Sequence, residues 1–193
     1  YVSNDQVATV DNLGRITAVG PGEATVTVIN GPAEAQVRIA VETPQVGPAV
    51  IGAAGGVVRG ADGTIVQIAP GALTAETVVS VQPVPQAGLP LPVPSWLQFG
   101  AAFQLEVGDA VLREPLQLAI PAPPDLPVGA QVFIYRPVTI TDENGQPVSF
   151  WAQEEVGIVG SDGFVRTTSP PFDGMDTRGI YLMALGIAAV QIA

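Results

Sequence analysis

Short runs with valine or isoleucine at every second position, cut off by glycine and proline, constrain this chain more than any other feature. "ATVTVIN" (24–30) and "AQVRIAVE" (35–42) are the clearest cases. A period of two sends successive side chains to opposite faces of a strand, so each run has one face to bury. "NGPAE" between them supplies a turn. Upstream, "QVATVD" and "RITAVG" flank "DNLG", where Asn12 or Gly14 can take the positive φ of a hairpin loop. "GPG" (20–22) then turns the chain into the next strand. This makes four strands within 42 residues, each too short for a helix.

The proline-punctuated "TPQVGP" (43–48) reads as a linker and divides the chain into residues 1–46 and 47–193. Beyond it "GGVVRGADGTIVQIAPGAL" gives two strands around an "ADG" turn, and "ETVVSVQPV" (76–84) a third. "QAGLPLPVPSW" (86–96) is too rich in proline and glycine for a central strand and reads as an irregular loop. "AAFQLEV", "EPLQLAIPA" and "AQVFIYRPV" are further strands. "TDENGQ" (141–146) is a turn, "VSFWAQ" is expected to form a hairpin with "GIVGSDGFVRTTS", and "GIYLMAL" (179–185) closes the domain. No segment shows the 3.6-residue period over ten residues, so helix beyond a turn or two is not expected. The fold class is all-β: two consecutive β-sandwich (Ig-like) domains.

Composition narrows the function. Hydrophobic residues make up 47% of the 193, enough for a packed core. No apolar run is long enough to span a bilayer as a helix. Eighteen acidic residues face seven basic ones, a net charge of −11. A field of that sign repels phosphate backbones and anionic lipid, so nucleic acid and membrane surfaces are poor partners. The basic residues are arginines at 15, 38, 59, 113, 136, 166 and 178, too scattered to form a patch. With no cysteine, disulfides and thiolate metal sites are excluded.

The opening stretch "SNDQVATVDNLGRITAVGPGEATVTV" resembles the second half of a bacterial Ig-like domain (group 2), over residues 3–42. The resemblance implies a module of secreted or surface proteins, adhesins of the intimin and invasin type included, that acts as a stalk unit or adhesive tip. It also implies that the first domain is incomplete. Its missing strands would come from the same polypeptide or from another chain. Residues 50–185 more loosely resemble the β-sandwich shared by ankyrins and netrin receptors, in its bacterial form. The matching stretches are "GGVVRGADGTIVQIAPGAL", "REPLQLAIP", "LPVGAQVFIYR" and "DGFVRTTSPPFDG…RGIYLMA". Some members of that family cut themselves at a histidine-phenylalanine-serine site. Here "PPFDG" around Phe172 lacks both the histidine and the serine, so self-cleavage is not expected.

No residue constellation points to catalysis. Without histidine, cysteine or lysine there is no base for a serine and no thiol or amine nucleophile. Glu154 and Glu155 are adjacent, and neighbours in a regular strand point to opposite faces, so they would not converge on one bond. No catalytic, cofactor or metal residue is therefore assigned. Calcium is the one cofactor candidate, at Asp142 and Asn144 or at Asp173 and Asp176, because hard oxygen ligands in turns suit it. Asp and Asn in turns also cap their own backbone, which competes with that role. Trp96 and Trp151 are expected to pack in the core or between domains; a solvent-facing ring would instead suit sugar stacking. The expected function is a non-catalytic extracellular structural or adhesion module, a stalk or assembly subunit that is part of a longer bacterial surface or secreted protein. The alternatives are a carbohydrate- or protein-binding module and an accessory domain of an exported enzyme. Its partners would be neighbouring domains or copies of itself, met through edge strands such as "ATVTVI" or the apolar tail "IAAVQIA".

Overall fold

The computed structural model describes residues 1–169 and 174–186. Phe172, Asp173 and the tail "IAAVQIA" lie outside the described residues. The chain divides into two compact units, Tyr1–Thr43 and Pro44–Ala193.

In the first unit β1 (Ala8–Val10) and β2 (Ile16–Ala18) form a hairpin. Asp11 builds its loop: the carboxylate accepts the N–H groups of Leu13 and Arg15 at 2.9 and 2.8 Å. The positive φ falls on Gly14, at +79°. A second hairpin pairs β3 (Gly22–Asn30) with β4 (Ala33–Val41), with Val26 opposite Val37. The other edge of β3 is taken by residues 1–3, through Thr27 N–H to Tyr1 O at 2.8 Å and Ser3 N–H to Thr25 O at 2.9 Å. Val7, Ala8 and Ala24 form a small core, with Val2, Ile39 and Val41 against it. That core stops short of the hairpin tip. No residue of β4 is buried: Val37 is 47% exposed and only Ile39 and Val41 are half-buried, so its alternation does not produce the buried face expected.

The second unit contains β5 (Gln45–Val46), β6 (Ala49–Ile51), β7 (Gly56–Arg59), β8 (Ile65–Ile68), β9 (Thr77–Pro83), β10 (Leu97–Glu106), β11 (Gln117–Pro121), β12 (Gln131–Thr141), β13 (Pro147–Val159), β14 (Phe164–Thr167) and β15 (Gly179–Gly186). They pair in the order β5-β7-β8-β11-β14-β13-β12-β15-β10-β9-β6. The outermost strands, β5 and β6, are consecutive in the chain, separated only by Gly47 and the cis-bonded Pro48. One short segment therefore pairs with both ends of the sheet, and the sheet must roll up over itself. Both walls then contribute to one core: Val58, Val66 and Ile68 from β7 and β8 join Val79, Val81, Phe103 and Leu105 from β9 and β10. Tyr181 stacks on Phe103 at 5.6 Å and donates its hydroxyl to the Thr177 carbonyl at 2.7 Å. That back-bond has the geometry of the tyrosine corner found in Ig-type sandwiches.

One expectation needs correction. "VSFWAQ" and "GIV" belong to one strand, β13, whose hairpin partner is β12 across the "DENG" turn; β14 pairs only with its far end. The proline-rich loop is irregular, as its composition implies, apart from one 3-10 turn at Gln86–Gly88. It is not idle. Leu89, Leu91 and Val93 pack on a second cluster of Leu97, Tyr135, Trp151, Leu182 and Ala184, on the opposite face of the central strands from the main core.

Candidate functional site

The structure separates the two tryptophans. Trp151 is 9% exposed, and its indole N–H donates to the Pro92 carbonyl at 3.0 Å, pinning the proline-rich loop to β13. Trp96 is 58% exposed and meets Tyr135 edge-on at 6.3 Å, so it is not a core residue of the second unit. The reason is positional. Trp96 ends the loop just before β10, where Leu97 turns inward in its place. Replacing Trp151 with phenylalanine keeps most of the apolar area but orphans the Pro92 carbonyl. The expected loss is about 1–2 kcal/mol, with faster amide exchange over residues 86–96 and an emission spectrum dominated by the exposed Trp96.

Glu154 and Glu155 straddle a bulge in β13: Ile134 pairs with Glu155, and Tyr135 already with Gln153. The extra residue breaks the alternation assumed for a regular strand. Glu154 forms an ion pair with Arg136 at 3.2 Å and remains partly solvated. Glu155 is fully buried; its carboxylate accepts the Val156 N–H at 2.8 Å and a hydrogen bond from the Ser169 hydroxyl. Burial pushes the Glu155 carboxyl above the ordinary carboxylate range, and the neighbouring Glu154 charge adds to the effect. The two carboxylates thus have different partners and share no cleft.

Of the calcium candidates, Asp142 accepts the N–H groups of Asn144 and Gln146 at 2.9 and 2.7 Å, which hold its carboxyl below the usual range. That side chain is engaged in building its own turn, as Asp11 is in the first hairpin. No group of three acidic side chains able to hold a metal occurs among the described residues. Asp173 lies outside them.

Alternation alone did not single out the open outer face of β8, β11 and β14. There a groove of about 210 Å³ is lined by Ile65, Gln67, Gln117, Leu118, Ala119, Arg166 and Thr167. Gln67 sits directly across from Gln117, and Ala119 lies between Ile65 and Arg166. Beyond Ile65 the same row continues to Arg59. The groove opens where β14 parts from β11: the Leu118 N–H donates to the Thr167 hydroxyl oxygen at 3.0 Å, and that hydroxyl donates to Gln117 Oε1 at 2.8 Å. Arg166 is clamped by Asp162 at 2.8 and 2.5 Å, and this pairing lowers the acid's pKa and raises the base's. The signal was present in "IVQI" and "EPLQLAIP", where glutamines occupy outward positions of otherwise apolar strands. Their meeting on one face depends on strand order.

Two β units, with one 3-10 turn as the only helical element among the described residues, define an all-β module of Ig-like type. Residues 1–41 match the family model described as a bacterial Ig-like domain (group 2). Domains of this kind are typically non-catalytic and occur in bacterial surface proteins. Among curated proteins, none matches this chain. No helix among the described residues is long and apolar enough to cross a membrane.

Proposed function

We propose that the chain is a non-catalytic structural module of a longer bacterial surface or secreted protein, where it spaces or assembles neighbouring domains outside the cell. The observation that carries this reading is the Ig-like match over residues 1–41, followed directly by a second all-β unit. Such modules keep their shape through hairpin registers and a rolled-up sheet rather than through a ligand. The acidic surface supports solubility in an exposed setting. No metal or cofactor is required in this reading.

Location is its most direct test. An antibody raised against the second unit should label intact cells of the organism that makes the protein, and permeabilisation should add little. Labelling that appears only after permeabilisation would overturn the extracellular reading.

A further inference from the structure

The outer groove of the second unit has features that spacing alone does not require. We propose that it is a subsite for an acidic sugar, a hexuronate unit of an oligosaccharide, seated over Ile65 and Ala119. This binding role would add to the structural one and does not rest on it.

Topology excludes one common alternative. β8, β11 and β14 are interior strands, each paired on both sides, so an incoming peptide finds no free backbone edge to extend. Recognition must come from side chains on a flat face. The groove supplies a small apolar floor with donors and acceptors around it, which is what a sugar ring with one apolar face and peripheral hydroxyls needs. Its volume of about 210 Å³ suits a single ring rather than a larger ligand.

The polar groups face the right way. Gln117 Oε1 is already taken by the Thr167 hydroxyl, which leaves the Gln117 NH2 group as a donor. Gln67 forms no side-chain hydrogen bond among the described residues, so its amide can both donate and accept. Arg166 is neutralised by Asp162. Arg59, at the other end of the row, has no acidic partner among the described residues and lies about 5 Å from Ile65 in backbone spacing. Arg59, on the same outer row and without an acidic partner among the described residues, selects a sugar that carries a carboxylate: at contact range its charge acts directly, whereas the net field of −11 acts from a distance and is screened by salt.

The test is an NMR titration of the full isotope-labelled chain with trigalacturonate, against the same trimer fully methyl-esterified. The expected result is saturable shifts at Gln67, Gln117 and Thr167 with a Kd on the order of 1 mM, and a clear loss of affinity for the ester. Gln67→Ala should weaken binding about fivefold. Arg59→Gln should abolish the preference for acid over ester. Neither side chain has an internal hydrogen bond or ion pair among the described residues, so the fold should survive both changes. Shifts absent at about 10 mM ligand, shifts mapping elsewhere, or equal binding of acid and ester would each overturn the proposal. So would acetate alone reproducing the pattern, since that would reduce the site to an ion pair with Arg59.

Discussion

Gly157→Ala is expected to destabilise the second unit by about 2 kcal/mol, although glycine-to-alanine changes within strands usually stabilise. Removing a glycine from a strand is ordinarily favourable by about 0.4–1 kcal/mol, because the unfolded chain has less freedom to lose. Here packing reverses the sign. Gly157 lies in β13 between Val132 of β12 and Thr167 of β14, and the missing side chain would point into the main core. An added Cβ would overlap Val165 Cγ1 and come within 3.1 Å of Val132 Cγ2. Both valines are fully buried, so neither can swing out to solvent. Urea unfolding followed by fluorescence checks this directly, because both tryptophans lie in the second unit. The same fluorescence should show that Val165→Ala, introduced together with Gly157→Ala, recovers about 1 kcal/mol relative to the sum of the two single changes. An alanine variant as stable as the parent would show that the β13–β14 wall has slack that this packing denies.

Gly157 also shows what could be read from the sequence and what could not. The strands of the first unit, the "DNLG" and "DENG" turns and the irregular proline loop were legible because each rests on local chemistry: period-two alternation, positive φ at glycine, or a side chain capping its own turn. Sheet order was not. Nothing local says that β5 and β6 pair with opposite ends of one sheet, or that β15, close to the end of the described chain, lies between β12 and β10. The groove was hidden for the same reason, since Gln67 and Gln117 are fifty residues apart and meet only through the β8–β11 register. Trp96 and Trp151 look alike in sequence, yet a one-position choice of which side chain turns inward, Leu97 or Trp96, sets the exposure of one ring. The burial of Glu155 was not legible for a more specific reason. Alternation was applied across a bulge, and a bulge depends on the partner strand rather than on the bulged one.

That bulge leads to the second large effect. Glu155→Gln is expected to make the second unit more stable at pH 7 and to remove a pH-dependent loss of stability. In the folded chain the carboxyl is raised above its unfolded value by desolvation, so folding favours the protonated form. Its contribution is therefore complete below the unfolded carboxyl pKa, about 4.3, and is lost as pH rises through the folded value. Asp142 and Asp162 work in the opposite direction. Their carboxyls are lowered, by backbone N–H groups in the turn and by Arg166, so their contributions are present at neutral pH and lost on acidification. The parent's total profile mixes these trends. The difference between variant and parent isolates Glu155, because both chains share the aspartates. Glutamine fits the site as built: its carbonyl can accept the Val156 N–H, and its NH2 can donate to Ser169 Oγ, which donates to the acid in the parent. Glu155→Ala should instead cost about 1–3 kcal/mol at acid pH, chiefly by leaving the buried Val156 N–H without its acceptor. Urea midpoints measured from pH 4 to pH 8, on parent and both variants, decide the matter. If the difference between glutamine variant and parent stays flat across that range, Glu155 titrates as a solvated carboxylate and its burial has no electrostatic consequence. If the difference grows as pH rises, folding favours the protonated acid at the bulge, and the stability that Glu155 contributes is lost as it ionises.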